Sequence, residues 1–293
     1  MTHPTAPSPT PPSPPVNRLL NAPLRDLAAW THHFLDAQFP VQGDTVDALE
    51  ALRANEDEVD ANMLGDLIAG DPLMTLKVMA HASRHRSARM VTDPETVTAA
   101  LVMMGIGPFF RTFPPQPAIE DWLAPLPAAL DGLRRVLQRA HRAANFALGF
   151  AVHRMDHDAA VIYQAALLHD FAEMLLWCHA PVLALQIQSA QQADPTLRSS
   201  VVQRQVLHLE LVELQQSLMK AWRLPELLIR ISDDNHAEQA KVQNVVLAIR
   251  LARHTAQGWD NAALPDDIAD IARLLNLSSA AALQLVRDIE PVR

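Results

Sequence analysis

His169 and Asp170 stand side by side within Ala165 to Trp177, read as AALLHDFAEMLLW, where positions 166, 167, 168, 171, 174, 175 and 176 are apolar. Apolar residues at those spacings cover more than one face of a helix, so the segment is predicted to be a buried helix with a polar pair inside it. An ionised carboxylate taken out of water without a partner is strongly destabilising, so Asp170 requires an ion pair, hydrogen bonds or a metal. An imidazole and a carboxylate are both sound ligands for a divalent cation. A satisfied core pair answers the same demand, and the dipeptide alone does not choose between them.

The elements that must position this pair are helical. From Leu24 onward the long segments show helical periodicity and lack β-branched or aromatic residues at period two, which predicts an all-α protein. Helices are expected over Asn17 to about Gln38, Thr45 to Arg53, Val59 to Ala69 and Leu73 to about Ser83. Asp71-Pro72 is a start signal for the last of these, since Asp accepts from unpaired amides and Pro needs no amide partner in the first turn. Another helix is expected from Thr92-Asp93-Pro94-Glu95 to Gly105. Gly107-Pro108 and the prolines at 114, 115, 117, 125 and 127 then interrupt the pattern, which places a lobe boundary there. The expected divisions are a Pro-rich tail at 1–16, an N-terminal lobe at 17–115, a second lobe at 116–258 and C-terminal helices at 259–293 packed on the second lobe.

In the second lobe a long amphipathic helix, about Ala128 to Met155, carries His141, and the His169-Asp170 helix follows. After a turn at Asp194-Pro195, a helix from about Leu197 to Trp222 carries His208. Leu224-Pro225-Glu226 starts a helix ending near Asp233-Asp234-Asn235-His236. Two more are expected at about Lys241 to Gln257 and Asp266 to Ile289, the last with a break signal at Asn276-Leu277-Ser278. His141, His169 with Asp170, His208 and His236 thus lie on four helices, each close to an apolar face.

Composition narrows the function classes. The 293 residues carry a formal net charge of −9 with pI near 5.8, so phosphate backbones and anionic membranes would be repelled and neither nucleic acid nor membrane is an expected partner. The single cysteine, Cys178, excludes an internal disulfide framework and fits a reducing cytoplasm. No apolar run is expected to approach the roughly 18 residues that cross a bilayer. Residues Thr2 to Pro15, THPTAPSPTPPSPP, hold too little apolar surface to join a core, and are expected to contribute nothing to the fold. With eight glycines and no Gly-rich phosphate loop, nucleotide cradling of that type is not expected. Cys178 beside His179 lacks an orienting acid or nucleophile elbow. Arg134, Arg135, Arg139 and Arg142 could draw an anion to the His141 helix but read better as a solvated face, and Arg84-His85-Arg86 with Arg89 is equally ambiguous. Trp30, Trp122, Trp177, Trp222 and Trp259 read as core or lobe-interface residues.

The order and helix-by-helix placement of these histidines resemble the HD superfamily of metal-dependent phosphohydrolases, in which a His-Asp pair and histidines from neighbouring helices converge on one or two cations. AALLHDFAEMLL is similar to the G-L-L-H-D-I-G-K-L-L-L segment of HDOD domains, the non-canonical branch of that superfamily. LGDLIAGDPLMTLKVMAHAS resembles the HDOD segment in which a helix ends at Asp-Pro, and VTDPETVTAALVMMGI resembles its next element, a capped A-I-x-x-L-G helix. LHLELVELQQSLMKAWRLPELLIRISDDNH is similar to H-x-E-x-G-x-x-L followed by W-x-L-P and a terminal His-His. The likeness spans about Val59 to Arg253 in family order.

The resemblance implies a two-lobed helical module used in bacterial signalling, with His141, His169, Asp170, His208 and His236 as candidate metal ligands. The chain departs from the catalytic pattern in four places. Glu173 replaces the basic residue of H-D-x-G-K and would repel phosphate. Ile249 stands where a final Asp ligand is expected, His81-Ala82 replaces Asn-Ser, and Asn235 replaces the first terminal histidine. The remaining donors suffice for one divalent cation and poorly for two, and no other cofactor is indicated. The expectation is a cytoplasmic, stand-alone regulatory protein acting on signalling proteins, with an eroded metal site whose five residues still converge. The rivals are a metal-dependent phosphohydrolase acting on a phosphoester or cyclic nucleotide, and a sensor holding a nucleotide or small anion in the cleft between the lobes.

Overall fold

Helical periodicity carries through the computed structural model of the chain, which describes residues 19–85, 94–194, 196–233 and 239–289. The tail, Arg86, Arg89, Thr92, Asp93, Pro195, Asn235 and His236 lie outside the described residues. The first part of the chain forms α1 (Leu27–Leu35), α2 (Gly43–Ala54), α3 (Ala61–Ala69), α4 (Pro72–Arg84), α5 (Val97–Met104), α6 (Ile106–Thr112) and α7 (Ile119–Trp122). The second part forms α8 (Pro127–His153), α9 (Ala159–Leu167), α10 (Phe171–His179), α11 (Pro181–Ala193), α12 (Ser199–Leu207), α13 (Leu211–Ala221), α14 (Glu226–Ile231), α15 (Ala240–His254), α16 (Leu264–Leu275) and α17 (Ser279–Ile289). Among the described residues the β pairing is confined to an isolated parallel bridge between Val41 and Ala118. The all-α expectation holds.

Local chemistry explains where the helices begin and end. The buried Asp71 carboxylate accepts from the Leu73 and Met74 amides at 2.8 and 3.1 Å and from the Gln42 amide at 2.8 Å, so one side chain starts α4 and ties α2 to it. Asp60 caps α3 by accepting from Asn62 and Met63. The expected opening helix is shorter than the pattern suggested: Pro23 breaks it, and Asp26 caps α1 by accepting from Ala29. The expected helix from Leu197 to Trp222 is two helices, because His208 turns left-handed at φ 65° and Glu210 with Glu213 forms a capping box that starts α13. The signalled break at Asn276 is present, with Asn276 left-handed at φ 55° between α16 and α17.

The His169-Asp170 segment is also two helices rather than one. The pair lies in the turn between α9 and α10, so its polar groups sit at helix ends instead of interrupting an apolar face. The expectation that no apolar run approaches membrane-spanning length needs correction as well: Ala159–His179, 21 residues, is long and apolar enough by length and composition, with 67% of its most apolar window buried inside the bundle.

One hydrophobic cluster runs through both parts of the chain. The α1 helix packs on α13, and the Trp30 indole donates to the Leu207 carbonyl at 3.1 Å. Trp122 donates to the Cys178 carbonyl at 2.7 Å, and the buried Gln164 carboxamide accepts from Val97 and donates to Glu95. Trp30, Trp122, Trp177 and Trp222 are core residues, while Trp259 is partly buried. Gly132 permits a close approach of α8 and α10, since a Cβ there would fall within 3 Å of three atoms of the Trp177 ring. Replacing Gly132 by alanine is therefore expected to cost about 1–3 kcal/mol, because a rigid ring must move. Gly149→Ala, which meets the end of the flexible Ile289 side chain, is expected to cost less. Thermal melts of the two variants check the order.

Candidate functional site

Asp170 precedes α10 in the position of a helix cap, but its carboxylate makes no capping bond. It is drawn instead to cations on two other helices. Oδ2 accepts from Arg139 of α8 through Nε at 3.1 Å and Nη2 at 2.8 Å. Oδ1 accepts from Arg253 of α15 at 2.8 Å and from His169 Nδ1 at 3.0 Å. Glu173, on the first turn of α10, accepts from the same Arg139 at 2.6 Å. Burial alone would push the Asp170 carboxyl up, but Arg253 and Arg139, with the His169 hydrogen bond, hold it well below the usual carboxylate range. Burial would likewise disfavour the Arg139 charge, and Asp170 and Glu173 more than compensate. A single carboxylate thus joins α8, α10 and α15.

Two of the other expected ligands, His141 and His208, do not meet this pair. His141 lies two residues beyond Arg139, about 200° around the helix, and its Nε2 donates to the Gly70 carbonyl at 2.5 Å, pinning α8 to the end of α3. His208 is exposed at the left-handed end of α12, outside the last turn of that helix. His236 lies outside the described residues. Among the described residues no group of three His, Cys, Asp or Glu side chains could hold a metal ion. Among the described residues the expected convergence is therefore corrected to His169 with Asp170, without His141 and His208, and this pair does not fit a divalent cation, since both carboxylate oxygens already face guanidinium groups. Ile249 is buried and non-coordinating, as its residue type implied. Burial pushes the Cys178 thiol up, away from a nucleophile's range.

Sequence reasoning missed the two arginines. Arg139 was expected on a solvated face, yet it falls in the stripe of Val136, Ala140 and Ala143, all buried. Arg142 is also turned inward, donating to the Ala252 carbonyl at 3.0 Å and to Thr255 at 2.6 Å at the end of α15. Arg134 pairs with Glu120 on the surface. Arg253 carried no signal, since its role depends on how α15 crosses α8.

The ion-paired turn forms part of the wall of a cleft of about 1200 Å³. Residues of α8, α10, α11, α12, α13 and the end of α15 line it, with Trp259 and Ile289. Its polar lining combines charged side chains with carboxamides, among them Gln138, Gln188, Gln191 and Gln215, with Trp177 and Trp259 beside them. A smaller cleft lies where the lobes meet, lined by Gln42, Gly43 and Asp44 from the first part of the chain and by Arg134, Gln138 and His141 of α8.

A family model described as HDOD domain matches residues 39–238. Among solved structures, the MmoQ response regulator from Methylococcus capsulatus is 18% identical, with a TM-score of 0.63 over 86% of this chain and 99% of that one. A virulence factor from Campylobacter jejuni is 13% identical, with a TM-score of 0.60 over 92% of this chain and all of that one (100%). At these identities the likeness is one of fold. No curated protein matches the sequence.

Proposed function

The chain belongs to the HDOD family, and on that premise we propose that it is a regulatory protein that works by binding other proteins and does not hydrolyse phosphoesters. The observation that carries this reading is the state of Asp170. Arg139 and Arg253 place two positive charges where a divalent cation would have to sit, and His169 is hydrogen-bonded to the same carboxylate. A cation would have to displace both guanidinium groups and leave Arg139 partly buried without its partner, which is strongly unfavourable. Glu173 lends further support, because a second carboxylate beside Asp170 repels a phosphate from this turn. The response-regulator title of the Methylococcus structure fits a signalling role. Signalling proteins in the cytoplasm are the partners this reading names, and the charge of −9 disfavours broad contact with nucleic acid or anionic membranes.

The test is direct. Protein purified without added metal is expected to hold less than a tenth of an equivalent of Zn, Mn, Fe or Mg by elemental analysis. Its melting temperature is expected to be the same in EDTA and in millimolar Mn²⁺, and it is expected to leave bis-p-nitrophenyl phosphate intact. Stoichiometric metal together with turnover that Asp170→Ala abolishes would establish the rival phosphohydrolase.

A further inference from the structure

The cleft beside Asp170 holds polar groups that the fold itself leaves unused. Gln215 of α13 is only 4% exposed and makes no side-chain hydrogen bond among the described residues, yet its carboxamide borders the cleft. Trp177 of α10 is 3% exposed, lines the same cleft, and its indole N–H has no acceptor. The Trp177 N–H, buried without an acceptor, costs roughly 1–3 kcal/mol, whereas the Gln215 carboxamide keeps contact with the cleft, so its donor and acceptor are available to whatever occupies it. The charges of the cleft are mostly spent internally. Asp170 and Glu173 are taken by Arg139 and Arg253, Arg142 holds the end of α15, and Glu210 pairs with Arg204. Arg135 makes no ion pair among the described residues. The first turn of α12, with Ser199 and Ser200 in the lining, has no side-chain cap, so its partial positive charge also faces the cleft uncompensated.

We propose that this cleft is a receptor for an extended acidic peptide segment of a partner protein. The inference rests on the protein-binding reading above and names the surface and the partner chemistry. A carboxamide offers donors and an acceptor together, as a peptide group does, so Gln188, Gln191 and Gln215 can pair with a main chain in either sense. The volume of about 1200 Å³ exceeds the ~300–1,000 Å³ of ordinary small-molecule pockets and suits a chain segment. Arg135 and the uncapped start of α12 select a carboxylate on that segment. Val212, 48% exposed and in the lining of the cleft, offers apolar contact for a neighbouring side chain of the peptide.

The experiment pans a phage-displayed random dodecapeptide library on the full chain, then measures the synthesised consensus peptide by fluorescence anisotropy. Binding is compared among the unaltered chain, Gln215→Leu and Arg135→Glu. The expected result is a consensus with at least one Asp or Glu, affinity about tenfold weaker for each variant, and no fall in melting temperature for Gln215→Leu, since its carboxamide makes no hydrogen bond to the described residues that the substitution would break. Arg135 is exposed, so its variant keeps the test valid if Gln215→Leu fails to fold. Binding that neither variant weakens would overturn the cleft assignment while leaving the protein-binding reading in place. Displacement of the peptide by millimolar inorganic phosphate or AMP at constant ionic strength would overturn it in favour of a small-anion site. Failure to enrich any peptide would count against both readings.

Discussion

Asp170→Ala lowers the melting temperature by roughly 6–12 °C, the equivalent of about 3 kcal/mol in a chain of this size. The loss comes mainly from Arg139, which is largely buried and would keep only Glu173 as its partner. Arg253 is half exposed and contributes less, because water replaces its contact with Asp170. The same effect predicts a pH dependence. The folded Asp170 carboxyl is held below its ordinary value of 3.8, so its stabilisation is complete above that value and is lost as pH falls through the depressed folded value. Between pH 7 and 3 the stability gap between the unaltered chain and Asp170→Asn should therefore narrow only at the acid end. Urea titrations at a series of pH values measure it. A gap of the same size at every pH would mean that the carboxylate's charge is not what holds the turn.

Asp71→Ala should cost about 2–4 kcal/mol, through a different mechanism. The substitution removes the acceptor for the Leu73, Met74 and Gln42 amides at a fully buried site that water does not reach. It therefore uncaps α4 and unfastens α2 at once. Asp71→Asn keeps one acceptor oxygen and should recover about half of the loss. Denaturation midpoints with an unchanged m-value would establish that the change is one of stability. A loss below about 0.5 kcal/mol would show that the α2 and α4 contacts hold without the cap.

The fold was legible where the signals are local. Asp71-Pro72 starts a helix because both residues act on amides within the same turn, and Asn276 ends one because its own backbone turns left-handed. Histidines at apolar helix positions read as converging, because periodicity shows that each lies near an apolar face and not which neighbour that face meets. That reading fails for His141, whose face of α8 meets α3, and for His208, which lies in a turn. The stripe of α8 that holds Arg139 among buried residues was present in the sequence, but a charged residue in such a stripe suits a solvated edge as well as a buried pair.

Asp170 divides the two kinds of knowledge. Its residue type and apolar surroundings determined that a partner had to exist, since desolvation of a carboxylate is a local cost that any fold must meet. Which partner meets it was decided only by tertiary structure. Arg139 and Arg253 stand 31 and 83 residues away along the chain, and guanidinium and metal ion answer the same electrostatic demand. Only the crossing of α8, α10 and α15 brings two arginines to that carboxylate, because a charge interaction depends on distance in space and carries no trace in the spacing of the sequence.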